Sequence, residues 1–152
     1  MSAANAPCSE RSLKLGSELE RRVVELWWQL SRQAPGDISR TSASVLAGLR
    51  GDGPQRITTL AERERVAQPT MTTLVQRLER DGLVARQDDP DDKRACRIAV
   101  TDSGLQALQQ RAAKRAHWLG ELLEQLSEPE RAAIADALDA LDSVIAKGTP
   151  PQ

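Results

Sequence analysis

Apolar residues recur at three- and four-residue steps along most of this chain, a spacing that places them on one face of an α-helix. Residues 13–32 show it first, with Leu19, Val23, Leu26, Trp27 and Leu30. A Pro-Gly break follows within residues 33–40. We expect a second helix to begin at a Thr41 or Ser42 cap and to end at Gly51.

Two short helix patterns occupy the middle of the chain. The first covers residues 59–65, because Thr59 and Glu62 have the spacing of a capping box. The second covers residues 69–82 and begins with a proline, which helices accept in their first turn. The residues expected to form its buried stripe are Met71, Leu74, Val75 and Leu78.

The pattern then becomes typical of strands. Residues 83–88 and 95–100 have strand composition, and a charged loop over residues 89–93 joins them. Residues 57–101 therefore have the order helix–turn–helix–strand–loop–strand, which is the order of a winged helix–turn–helix. Such a unit places its second helix in the DNA major groove.

Two long helices are predicted after the strands. Thr101 or Asp102 caps the first, whose apolar positions keep a heptad-like spacing that is interrupted at Arg115. Residues 127–130 form a second capping box, and the helix that they open ends at Gly148. The residues that it is expected to bury are Ile134, Ala137, Leu138, Leu141, Val144 and Ile145.

The predicted fold is mainly α with a small β-wing. Residues 1–12 are expected to be a flexible N-terminus, and residues 41–101 to be the winged helix–turn–helix that binds DNA. Residues 13–34 and 102–147 are expected to form an N- and C-terminal helical platform on which two copies of the chain dimerise. A homodimer would carry two winged helix–turn–helix units, and the unit of each chain, residues 41–101, is here called the reader.

Composition narrows the expected partner. The net charge of the 152-residue chain is −1, so any DNA contact must depend on a local basic surface. Phe and Tyr are absent, and residues 57–101 contain no aromatic residue, which disfavours single strands and RNA. Double-stranded DNA is the expected partner. With no apolar run for a signal peptide or membrane span and only two cysteines, we expect a cytoplasmic protein with no membrane contact.

The helix over residues 69–82 supplies most of the candidate contacts. Opposite its apolar stripe lie polar residues, which are Thr70, Thr72, Thr73, Gln76, Arg77 and Arg80. Short hydroxyl side chains near a helix N-terminus let the backbone approach phosphates, and Gln76 and Arg77 are long enough to reach bases. A solvated helix face is the alternative. The position of this helix before a β-ribbon favours DNA binding.

The loop between the strands is acidic first and basic afterwards. Asp92 can pair with Arg94, or brace it while its guanidinium enters the minor groove. Arg86 and Arg97 on the flanking strands are candidates for phosphate contact. A charged hairpin tip is the plainer alternative. A calcium loop is disfavoured because the glycine and the terminal glutamate of an EF-hand are missing.

These residues carry a resemblance to a known family. The chain strongly resembles the MarR family of bacterial regulators through Leu60-Ala61-Glu62-Arg63, Pro69-Thr70-Met71-Thr72, Leu74-Val75-Gln76-Arg77-Leu78-Glu79, Gly82-Leu83-Val84 with Arg86, Asp89-Pro90 with Asp92 and Arg94, and Thr101 with Gly104. The resemblance implies a homodimer with winged readers, a helical platform, and control by a small molecule or an oxidant. Two positions depart from the pattern: Ala67 stands where a serine cap is common, and Thr73 where a basic residue is common.

The resemblance also implies an effector site between platform and reader. The bulky candidates for it are Trp27, Trp28, His117 and Trp118, and a phenolic compound is a candidate ligand. Core packing or dimer contact is the alternative role of these tryptophans. One histidine and two distant cysteines make a poor zinc site, so no metal is expected. Whether Cys8 or Cys96 responds to oxidants stays open, because no tyrosine is present to support a peroxide-sensing cysteine.

Neither an enzyme nor a cofactor-dependent protein is indicated. His117 lacks a nucleophile in a suitable pattern, and there is no Gly-rich phosphate loop. We therefore predict a homodimeric, ligand-responsive repressor that reads a pseudo-palindromic duplex. A winged-helix protein-interaction module without DNA binding remains the alternative.

Overall fold

Six helices and a two-stranded sheet make up the part of the chain that the computed structural model describes, residues 8–33, 38–92 and 95–148. The helices are α1 (Glu10–Arg32), α2 (Arg40–Asp52), α3 (Ile57–Glu64), α4 (Gln68–Arg80), α5 (Asp102–Glu124) and α6 (Glu128–Gly148). The strands β1 (Val84–Asp88) and β2 (Cys96–Val100) pair antiparallel. The order α3–α4–β1–β2 confirms the predicted winged helix–turn–helix.

The chain divides into two compact units, Met1–Arg115 and Ala116–Gln152. The first contains α1 to α4, both strands and the beginning of α5. The second contains the end of α5 and all of α6.

The core of the first unit is built from α2, α3, α4 and the ribbon that β1 and β2 form. The side chains with almost no exposed surface are Val45, Leu46, Leu60, Met71, Val75, Leu78 and Ile98. On α4 the buried residues follow the predicted spacing, and Leu74 packs partly buried against the same core. Burial of apolar area is the dominant favourable term in folding, so this cluster determines which side of α4 faces inward.

The ribbon is extended by one residue from before α3. Gln55 donates its backbone N–H to the Ile98 oxygen at 3.0 Å and accepts from the Ile98 N–H at 2.7 Å. On its other edge, Ile98 lies opposite Arg86 of β1. The segment before α3 is thus tied to β2 by two backbone hydrogen bonds.

Several ends of the elements differ from the prediction. Ser39 caps α2 in place of Thr41 or Ser42, accepting from the Ser42 N–H at 3.1 Å. The helix ends at Asp52, and the C-cap Gly53 has a φ of 76°. The predicted stop at Gly51 was wrong because that residue keeps a helical conformation. The helix α1 begins at Glu10, inside the segment expected to be flexible; residues 1–7 lie outside the described chain.

The capping box predicted for α3 was also wrong. Helix α3 begins at Ile57, after Arg56, with no side-chain cap, so Thr59 and Glu62 lie inside it. The helix starts as soon as the chain leaves its pairing with β2 at Gln55. The helix ends at Glu64, and its C-cap Arg65 takes a left-handed conformation with φ 53°.

Thr101 joins the start of α5 to the turn before β1. Its hydroxyl donates to the Gly82 carbonyl at 2.7 Å and accepts from the Gly104 N–H at 3.1 Å, so Thr101 is the cap. A Cβ on Gly104 would lie 2.2 Å from the backbone oxygen of Leu83. Since a backbone oxygen cannot give way as a flexible side chain can, only glycine fits at this position.

The apolar residues of α6 are not buried, contrary to prediction. No residue of this helix is buried, and Leu138 and Ile145 are 55% and 67% exposed. The predicted stripe exists, but none of the described residues covers it. On α1, likewise, Val23 and Trp27 are exposed. None of the described helices is long and apolar enough to cross a bilayer.

Gly104→Ala should destabilise the first unit by about 1–3 kcal/mol, the usual cost of overpacking. The change would push α5 away from the turn that Thr101 holds. Urea unfolding followed by circular dichroism measures it. Gly51→Ala is the matched control, because a Cβ there meets no atom within 4 Å; an equal loss of stability in both variants would contradict the packing argument.

Candidate nucleic-acid interface

Helix α4 presents a polar face to solvent. Thr70, Thr73, Gln76, Arg77 and Arg80 are exposed, and Thr72 is half-buried. The opposite face, with Met71, Val75 and Leu78, is sealed in the core. The long side chains of Gln76 and Arg77 can therefore reach a partner that approaches this face.

The two adjacent threonines of α4 bond to their own helix. Thr72 Oγ1 donates to the Gln68 carbonyl at 2.9 Å, and Thr73 Oγ1 donates to the Pro69 carbonyl at 3.1 Å. These bonds fix the hydroxyl orientation and leave oxygen lone pairs on the surface. At the helix start, Ala67 supplies no side-chain cap. An anion approaching the N-terminus of α4 therefore competes with no side-chain acceptor from that position.

The basic residues at the end of α4 share one acid. Asp81 lies 3.8 Å from Arg77 and 3.3 Å from Arg80, measured between side-chain oxygen and Nε. All three side chains are well exposed. Exposed ion pairs contribute about 0–1 kcal/mol, so a phosphate could replace Asp81 at little cost.

Arg86 of β1 connects α4 to the ribbon. Its guanidinium lies 3.2 Å from the sulfur of Cys96 and 3.1 Å from a carboxylate oxygen of Glu79 on α4. The contact with Cys96, followed by that with Glu79, raises the pKa of Arg86. Arg86, which was predicted to contact a phosphate, thus links β1 to both α4 and β2.

Arg97 of β2 faces a buried carboxylate. Its Nη2 lies 3.2 Å from Asp89 and 2.7 Å from Asp91. Asp89 also accepts from Nε of Arg56 at 2.5 Å and from the Asp91 N–H at 3.0 Å. Sequence reasoning missed Arg56 and this role of Asp89, because neither residue belonged to a periodic pattern. The pairing of Gln55 with Ile98 places Arg56 beside Arg97, and both then reach Asp89.

The Arg56 guanidinium, with the Asp91 N–H and Arg97, holds the pKa of Asp89 well below its usual range. The side chain of Asp89 has no exposed surface. Its charge is therefore maintained by specific donors in place of water. The predicted minor-groove residue Arg94 lies outside the described residues.

Two of the three tryptophans predicted for an effector site, Trp27 and Trp28, lie beside arginines. The Arg115 guanidinium carbon lies 5.5 Å from the Trp27 ring centre, and that of Arg40 lies 5.5 Å from Trp28. A cavity of about 500 Å³ in the first unit includes among its lining residues Trp27, Arg40, Arg50, Glu64, Arg111 and Arg115. The arginines were not predicted, because they are scattered over α2 and α5.

Two features give the cavity a preference for negative charge. Four of its lining residues are arginines and only Glu64 is acidic. Within the described chain, the buried Nε of Arg115 has no hydrogen-bond partner. Arg111 is 4% exposed and donates to the Ile38 carbonyl at 3.0 Å. The cavity wall therefore offers donors and an aromatic face together.

The other two predicted effector residues lie in the second unit. His117 is exposed, with its Nε2 3.4 Å from Glu121, and Trp118 is half-buried. The structure thus brings Trp27 alone of the four candidates to the wall of this cavity. No three metal-ligating side chains gather in the described parts of the chain.

Comparison with known proteins agrees with this architecture. The profile of the MarR family matches residues 38–96. An uncharacterized HTH-type transcriptional regulator of Mycobacterium bovis is 32% identical over 133 residues, covering 87% of this chain and 93% of that protein. The HTH-type transcriptional repressor MdtR of Bacillus subtilis is 26% identical, with 86% of this chain and 82% of that protein covered.

A solved structure extends the similarity to the fold. The crystal structure of a transcriptional regulator from Thermotoga maritima superposes with a TM-score of 0.78 at 26% identity. The match covers 90% of this chain and 99% of that one. The similarity therefore includes the long helices outside the reader.

Asp89→Asn should lower stability at neutral pH, because the amide cannot accept from Arg56 and Arg97 as the carboxylate does. A depressed folded-state pKa contributes stability above the unfolded value of about 3.9 and loses it as the pH falls below that value. The difference between wild type and variant should therefore be constant down to about pH 4 and shrink below it.

Urea unfolding midpoints at neutral pH and near pH 3 measure this difference. Asp91→Asn is the matched control, since its carboxylate also meets Arg97 but its side chain is 76% exposed. A difference for Asp89→Asn that stays constant on acidification would contradict the assignment.

Proposed function

Since the chain belongs to the MarR family of transcriptional regulators and has a DNA-binding helix–turn–helix, we propose that it is a repressor that binds a duplex operator as a homodimer. The observation that carries this proposal is the exposed polar face of α4, with Gln76 and Arg77 free of the core. The repressor named MdtR among its relatives supports the sign of regulation.

In the proposed complex, α4 lies in the major groove. Gln76 is suited to bond adenine and Arg77 to bond guanine or a phosphate. Thr70, Thr72 and Thr73 lie near the helix N-terminus, where the helix dipole favours the anionic backbone. Arg80 at the other end is placed to contact a phosphate.

The wing is proposed to reach the adjacent minor groove through Arg94. Arg86 and Arg97 are proposed to support it at the flanking phosphates. Both are held by acids within the reader, so a phosphate would have to share their N–H groups with those acids. A guanidinium has five N–H donors and can do this.

The dimer is supported by the exposed apolar residues of the long helices. Val23 and Trp27 on α1 and Leu138 and Ile145 on α6 are each at least 47% exposed. Apolar faces of this extent usually mark an interface. A two-fold pair of chains would bury them and place two α4 helices against a pseudo-palindromic site.

A small anionic aromatic ligand, such as a phenolic acid, is proposed to bind the cavity beside Trp27. The arginines there would bond a carboxylate, and the indole would pack against a ring. Because the cavity lies between α1, α2 and α5, a ligand in it would change how the reader is held. Regulation follows if the two readers then no longer match successive major grooves.

Arg77→Ala should weaken binding to the operator by about 1–3 kcal/mol. A much smaller loss on unrelated duplex would indicate contact with guanine, and an equal loss would indicate contact with a phosphate. The operator is first obtained by selection from genomic fragments. Fluorescence anisotropy then gives Kd for both duplexes. Arg21→Ala is the control, because the side chain of Arg21 on α1 is 66% exposed, close to the 61% of Arg77.

Equal affinity of wild type and Arg77→Ala for the selected operator would remove α4 from the mechanism. Failure of any duplex to be enriched would favour a protein-interaction module. Sedimentation of the same samples tests the pairing of readers, and a stable monomer bound to a single half-site would contradict it.

Trp27→Leu should weaken the binding of a phenolic acid by about 1 kcal/mol, because the ring of the ligand would lose its aromatic contact. Isothermal titration measures the affinity. Trp28→Leu is the matched control, because the neighbouring ring contacts Arg40 but is not among the residues that line the cavity. Equal losses in both variants would place the ligand elsewhere.

A further inference from the structure

Asp89 is a buried carboxylate among exposed acids of the loop between β1 and β2. Its side chain has no exposed surface, whereas the neighbouring Asp88, Asp91 and Asp92 are exposed. Burying an ion is costly unless donors replace its hydration shell. Here the donors are Arg56 Nε at 2.5 Å, the Asp91 N–H at 3.0 Å and Arg97 Nη2 at 3.2 Å.

The three donors come from separate segments that the backbone has already aligned. Gln55 pairs with Ile98 through two hydrogen bonds, so the residues beside them, Arg56 and Arg97, emerge next to each other. The backbone of Asp89 is tied to the far side of the loop, since its N–H donates to the Ala95 carbonyl at 3.3 Å. One carboxylate therefore connects the entry to α3, the β1 end of the loop and β2.

We propose that Asp89 is the positioning residue of the wing: it orients the β-ribbon relative to α3 and thereby strengthens DNA binding without touching DNA. This proposal rests on the proposed function, because it assumes that the wing contacts the duplex. The connection matters because the described strands have only five residues each, and a short two-stranded ribbon is marginally stable by itself.

The proposal and simple electrostatics predict opposite changes in DNA affinity when Asp89 loses its charge. Asp89→Asn removes one negative charge close to DNA, so long-range electrostatics alone would tighten binding. Loss of the wing's orientation would weaken binding. Asp88→Asn removes the same charge one residue away, from an exposed side chain, and is the matched control.

The experiment measures Kd for the selected operator at several salt concentrations. Asp89→Asn is expected to weaken binding roughly tenfold, in line with the loss of charged hydrogen bonds, and to lower the slope of log Kd against log salt. Asp88→Asn should bind equally or more tightly. Equal or tighter binding by Asp89→Asn, with a steeper salt slope, would overturn the proposal, because it would mean that Asp89 withholds Arg56 and Arg97 from phosphates.

A double-mutant cycle separates positioning from direct contact by Arg56. If Arg56 acts through Asp89, Arg56→Gln should weaken binding in the wild-type background and have little further effect in the Asp89→Asn background. The same loss in both backgrounds would mean that Arg56 contacts DNA by itself, which would contradict this part of the proposal.

Amide hydrogen exchange keeps the proposal testable if no duplex binds or if Asp89→Asn does not fold. Both variants, Asp89→Asn and Arg56→Gln, are expected to raise amide exchange rates above those of wild type. The increase should be larger in residues 84–100 than in α4. Unchanged exchange of the ribbon in the folded variants would overturn the positioning role. Failure of wild type to bind any duplex, with faster ribbon exchange in the variants, would reject the proposed function and leave the connection itself supported.

Discussion

The reader depends on the burial of one side of α4 in a core that is shared with α2, α3 and the ribbon. Met71, Val75 and Leu78 have almost no exposed surface. Because successive turns of a helix repeat every 3.6 residues, burial of these three fixes the rotation of α4 about its axis. Gln76 and Arg77 then have to face solvent. The chemistry of the exposed face is therefore a consequence of how the opposite face packs.

The ribbon adds Val84 and Ile98 to this core, and polar contacts join it to α3 and α4 as well. Only Val84 of β1 is buried. Arg86 connects the ribbon to Glu79 of α4, and Asp89 connects it to Arg56 and Arg97. The positive charges of the wing are thus balanced by acids within the reader.

The long helices α1 and α6, unlike α4, do not bury their apolar residues in the core of the chain. Their apolar residues have helical spacing, yet α1 and α6 bury none of them within one chain. A second copy would remove this surface from water, so that the helices gain their packing energy from association. In the first unit, a cavity lies beside Trp27 and is lined by Arg40 and Arg115 among others.

The sequence by itself determined the order of elements, the inward stripe of α4 and the candidate face with Gln76 and Arg77, because these depend on local spacing. It misplaced the start of α2, because several neighbouring residues could serve as the cap and the helix uses Ser39. It misplaced the start of α3, because the helix begins where the chain leaves its pairing with a distant strand, at Gln55 and Ile98. Only the tertiary structure decided that Asp89 is buried between Arg56 and Arg97. Residues 56 and 89 are far apart along the chain, and no periodic pattern records a contact that depends on how three backbone segments pack.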